Sequence, residues 1–123
     1  MKWRTQWGIL WTFAHLPGGR RMYEWMLRRH GELAELEKSS RFHNAVEIVR
    51  AVRRHMGPLD GLSIVEFGTG WVPAAPLALA CCGANVRTYD VQRLTDAPLL
   101  RRTIAELAVM SDDIAQAAES PVS

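Results

Sequence analysis

Glu66, Gly68, Gly70 and Asp90 are the residues of this 123-residue chain whose types and spacing could do chemistry. They fall within residues 64–90, IVEFGTGWVPAAPLALACCGANVRTYD. Gly68 and Gly70 permit backbone angles and close approaches that a side chain would block. Amides at such a turn, and at the start of a following helix, can face a polar ligand group. Asp90 stands 20 residues after Gly70, where a carboxylate closing a second strand can accept hydrogen bonds from both hydroxyls of a ribose. Val91 follows and can lie against an adenine ring. Glu66, two residues before the first glycine, can meet a cationic ligand group at the mouth of the turn.

A strand–helix–strand must position these groups. Residues 62–67 read as the first strand. Its nearly all-apolar run, with β-branched Ile64 and Val65 at its centre, suits a strand covered on both faces. A helix follows to about Cys82 and stops at Gly83. Its start is ambiguous: Pro73 fits the first helical position, but Pro76 would then remove a backbone bond one turn in, so regular helix could begin nearer Ala75. Residues 85–89 are the second strand, parallel to the first, with a right-handed crossover. Asp96 caps a final helix that carries Pro98 in its first turn and turns Leu100, Ile104 and Leu107 to one face.

Upstream, residues 3–15 read as a helix with Trp3, Trp7 and Trp11 on one face, more simply a packed aromatic stripe than a membrane anchor. A breaker at 16–19 separates it from a second helix over 20–30. A third begins at Ser39 or Ser40 and runs to about Met56, with Ala45, Ile48, Val49 and Val52 facing inward. Gly57-Pro58 ends it, and Asp60-Gly61 turns the chain into the first strand.

The run Glu66-Phe67-Gly68-Thr69-Gly70 resembles motif I of the class I S-adenosylmethionine-dependent methyltransferases, acid-x-Gly-x-Gly-x-Gly. Asp90 matches that family's acid at the end of its second strand. The specific resemblance covers residues 62–91. It implies that the loop Gly68, Thr69 and Gly70 wraps the methionine part of S-adenosyl-L-methionine, that Asp90 and Val91 hold the ribose and adenine, and that Glu66 orients the amino end. One departure is Val72, after Trp71, at the family's third glycine position. The implied fold is α/β: a partial Rossmann-like β-α-β unit of two parallel strands, preceded by about three N-terminal helices and followed by one helix. Residues 1–60 are then a helical cap, 61–119 the cofactor-binding half and 120–123 a frayed tail. The family's sheet has seven strands, so this one reads as truncated. The implied function is methyl transfer to a small-molecule acceptor, and no residue is assigned as catalytic.

Composition limits the rivals. With 15 basic and 13 acidic side chains, the net charge of +2 is too balanced for a nucleic-acid binder. Adjacent residues on a helix point about 100° apart, so Cys81 and Cys82 are ill placed to bridge each other and read as reduced thiols of a cytoplasmic protein. His15, His30, His43 and His55 are scattered, and no metal site is expected. No apolar run approaches the roughly 20 residues that span a bilayer. Two alternatives stand beside the methyltransferase. One is a non-enzymatic interaction module, or a decayed remnant, that forms a homodimer through the open edges of its sheet. The other is a fragment of an NAD(P)-dependent oxidoreductase, whose fingerprint wants glycine where Pro73 stands.

Overall fold

Local stop signals set most of the boundaries. The computed structural model describes residues 8, 11–12, 15–19, 21–23, 25, 40–91 and 95–121. The chain divides into two compact units, Met1–Lys38 and Ser39–Ser123. In the first unit, Gly8, Trp11, Thr12 and His15 are helical. The chain turns at 16–18, with Gly18 at φ 78°, and residues 19, 21–23 and 25 are helical again. Trp11 is exposed, with the His15 ring 4.4 Å away. Trp3 and Trp7 of the expected stripe, His30, and residues 122–123 of the expected tail lie outside the described residues.

The second unit is mixed α/β with two parallel strands. Helix α1 (Ser40–Met56) belongs to this unit. It buries Phe42, Ala45, Val46 and Val49, whereas Ile48 is exposed and Val52 half-buried. The inward stripe is therefore centred about one turn nearer the N-terminus than expected, because Phe42 supplies its bulk where α1 packs on α2 and α4. Gly57 ends the helix at φ 88°, its N–H donating to the Arg53 carbonyl at 3.1 Å.

Strands β1 (Ser63–Phe67) and β2 (Asn85–Tyr89) pair in parallel, from Ser63 opposite Asn85 to Phe67 opposite Tyr89. Parallel strands need a crossover, and α2 (Ala74–Cys81) provides it. Pro73 is the residue before the helix rather than its first residue. Pro76 then falls in the first turn, where amides have no intrahelical partner, and so costs no bond. The C-terminus closes doubly: the Gly83 N–H donates to Ala80 at 3.0 Å and the Ala84 N–H to Leu79 at 3.2 Å, with Gly83 at φ 90°.

Two expectations are corrected here. Among the described residues of this unit, nothing covers the second face of the first strand. Ile64, Glu66 and Val86 are half-buried, while Ser63, Val65, Phe67, Asn85, Arg87 and Tyr89 on the opposite face are exposed. The reason is that α1 and α3 pack on α2, which itself packs on β2, while α4 packs on α1. The second correction concerns the segment after β2, which holds two helices rather than one: α3 (Ala97–Val109) and α4 (Ser111–Ala118). The break at Met110 redirects the chain so that Ile114 and Ala117 are buried where α4 packs on α1. On α3, Leu107 is buried as expected but Ile104 is exposed, and Thr103 is fully buried instead. Its hydroxyl donates to the Leu99 carbonyl at 2.8 Å, which removes the cost of burying it.

Candidate functional site

Both strands run the same way, so their C-terminal ends lie side by side, and the glycine loop and Asp90 leave from those ends together. The Gly68 N–H donates to the Tyr89 carbonyl at 2.8 Å, one step beyond the ladder. The Gly70 N–H donates to Asp90 Oδ2 at 2.7 Å. Gly68 and Gly70 sit at φ 75° and 69°, a region that side chains with a Cβ rarely enter. A Cβ on Gly68 would meet nothing within 4 Å, and one on Gly70 only the Gly68 carbonyl at 4.0 Å. These glycines are thus demanded by backbone angle, and the space beside them is open.

The structure brings Glu66, Gly68, Thr69, Gly70, Asp90 and Val91 to one end of the sheet, with one change of role. The Gly70 amide, expected to face a ligand, instead holds the Asp90 carboxylate. A short charge-assisted bond between an amide and a carboxylate is strong, and this one ties the loop to the neighbouring strand. A carboxylate has about four acceptor positions, more than the Gly70 amide by itself takes up. Val91 is 98% exposed.

Two polar atoms at this end are buried without a partner: Glu66 Oε2 and Thr69 Oγ1. Buried oxygens are normally satisfied, and leaving one unsatisfied costs about 1–3 kcal/mol, more when it is charged. Arg53 on α1 has a buried Nη1 without a partner as well, and among the described residues it makes no ion pair with Glu66. The carboxylate precedes the glycine turn and the hydroxyl lies within it.

Thr95 was not singled out by the sequence reading, yet it anchors the loop. Its hydroxyl lies 3.1 Å from the Gly70 carbonyl oxygen and 3.2 Å from that of Trp71, and donates to this pair. Only its place beside the helix-capping Asp96 hinted at a role. Trp71 and Val72, at the third-glycine position, are buried.

A groove of about 490 Å³ lies elsewhere, lined by Leu77, Cys81, Cys82, Ile104, Leu107 and Ile114 among others. It involves the C-terminal half of α2 and none of the loop residues. Burial, and secondarily the neighbouring Cys81 thiol, hold the Cys82 thiol above its ordinary pKa. Among the described residues, no three histidine, cysteine, aspartate or glutamate side chains gather to hold a metal ion. No described helix is long and apolar enough to cross a membrane. No family model matches the chain, and neither a curated protein nor a solved structure matches it.

Proposed function

We propose that this chain binds S-adenosyl-L-methionine at the end of its strands, as a partial Rossmann-like unit, and serves methyl transfer to a small-molecule acceptor. The observation that carries the proposal is the meeting of the Gly70 amide and the Asp90 carboxylate at 2.7 Å, beside the buried, unpartnered Glu66 Oε2 and Thr69 Oγ1. In this reading the Glu66 carboxylate accepts from the ammonium of the methionine part. The left-handed glycines let that part pass close to the backbone. Asp90 accepts from the ribose hydroxyls while Gly70 fixes its orientation, and Val91 covers the adenine. The cofactor supplies a sulfonium-activated methyl. The chain's contribution is to bind and orient it, since in-line transfer gains chiefly from alignment.

Pro73 favours this reading over a nicotinamide-binding one. It stands where that fingerprint wants a glycine and has no amide to offer a pyrophosphate. Titration calorimetry with S-adenosylhomocysteine is the test. Asp90→Asn keeps an acceptor for the Gly70 amide but replaces an acceptor with a donor toward the ribose. It is expected to weaken binding about 10- to 100-fold, the loss of one or two hydrogen bonds to a charged group. Glu66→Gln should weaken it by a similar factor. Absence of heat for the unaltered chain at millimolar ligand would sink the proposal.

A further inference from the structure

Thr95 is assigned no contact with the cofactor, yet it bears on the groups that are. A turn built on two glycines is hard to hold still, because glycine gives up more conformational freedom on ordering than any other residue. Here the turn is tied from outside. The Gly68 N–H donates to the Tyr89 carbonyl at 2.8 Å, and the Gly70 N–H to Asp90 Oδ2 at 2.7 Å. The Thr95 hydroxyl reaches the carbonyl oxygens of Gly70 at 3.1 Å and of Trp71 at 3.2 Å. All of these ties come from the end of β2 and the chain after it.

Gly70 is therefore gripped on both sides. Its N–H belongs to the peptide shared with Thr69, and its carbonyl to the peptide shared with Trp71. Asp90 fixes the first plane and Thr95 the second, and together they hold Gly70 at its left-handed φ of 69°. If the second plane were released, Gly70 would range over the backbone angles open to a residue without a Cβ. The N–H aimed at Asp90 would move with it. A hydroxyl has one proton to share between the two carbonyls, so exchanging that hydroxyl for a methyl removes both ties. Thr95 itself stands on a fixed base. The next residue, Asp96, accepts from the Leu99 N–H at 2.9 Å through its side chain and from the Leu100 N–H at 2.9 Å through its carbonyl. The start of α3 thereby holds the hydroxyl in place.

We infer that Thr95 is a positioning residue: through the carbonyls of Gly70 and Trp71 it keeps the glycine turn in the arrangement in which the Gly70 amide orients Asp90. Its consequence for binding rests on the cofactor reading: affinity depends on a side chain that gives the ligand no bond of its own.

Two measurements on the 123-residue chain test this. The first is amide hydrogen exchange by NMR without ligand. Thr95→Val keeps the shape and loses the donor, whereas Thr95→Ser keeps the donor. Relative to the amides of the β1–β2 ladder, the Gly70 amide should exchange about ten-fold faster in Thr95→Val, the equivalent of one lost hydrogen bond. Thr95→Ser should restore the original rate. In an Asp90→Ala background the Gly70 amide has already lost its acceptor, so Thr95→Val should add less than about two-fold. The second measurement is calorimetry with S-adenosylhomocysteine, where Thr95→Val should weaken binding about five- to ten-fold and Thr95→Ser should restore it. Unchanged exchange at Gly70 in Thr95→Val would overturn the inference. So would equal acceleration at Gly70 and along the ladder, since Thr95 would then merely stabilise the unit. Additive effects of the Thr95 and Asp90 substitutions, or full affinity retained in Thr95→Val, would overturn it as well. Absence of heat for the unaltered chain would defeat the cofactor reading alone, and the exchange rates would still decide whether Thr95 sets the turn.

Discussion

Glycine is required at the base of the sheet for two different reasons. Gly61 and Gly83 both hold left-handed backbone, at φ 73° and 90°, and the Gly61 N–H donates to the Gly83 carbonyl at 2.9 Å. A Cβ on Gly61 would meet nothing within 4 Å, whereas one on Gly83 would lie 2.7 Å from Asp60 Oδ1 and 3.1 Å from Asp60 Cα. Gly61→Ala should therefore cost only the backbone term, about 1–2 kcal/mol. Gly83→Ala should cost clearly more, because the backbone of Asp60 has to give way. Urea midpoints of the two variants would test the ordering, and equal midpoints would refute it. At the other end of the sheet, the residue types and spacing of Glu66, Gly68, Gly70 and Asp90 were enough to anticipate that the fold gathers them. What they could not convey is that Asp90 accepts from the loop itself, or that Thr95 fastens it. Both depend on which atoms the turn brings within 3 Å or so, and spacing along the chain does not encode that.

Boundaries governed by neighbouring residues were the legible ones at the level of elements. Asp96 precedes α3 and accepts from the Leu99 N–H at 2.9 Å, with Pro98 in the first turn, as its residue type suggested. Asp96→Ala should destabilise the unit by about 1 kcal/mol, read as a lowered thermal midpoint. Gly57 and Gly83 likewise stop their helices through local backbone geometry. The break at Met110 was not legible, because neither proline nor glycine marks it. Its benefit is tertiary: a new helix whose Ile114 and Ala117 reach the core. The exposure of Ile48 and Ile104 has the same origin, since periodicity gives a helix an apolar side without saying which residues its neighbours will cover.

At the scale of the whole second unit, the core joins α1, α2, α3 and α4 rather than sandwiching the sheet. Val49, Ala78 and Ala117 are wholly buried and Ile114 nearly so. Ile114→Ala should cost about 2–5 kcal/mol, a large share of what a domain of this size has to lose. Guanidinium unfolding would measure it, and a cost below about 1 kcal/mol would mean that α4 is dispensable to the core. An apolar run could not reveal the open face, because the same residues suit a strand covered once or twice. The parallel ladder also governs the order of events during synthesis. Ser63 meets Asn85 and Phe67 meets Tyr89, so no strand has a partner until the crossover helix and the second strand have both left the ribosome. Until then β1 is a nascent apolar segment with nothing to pair with, and this interval is when the polypeptide is most exposed to aggregation and to capture by chaperones.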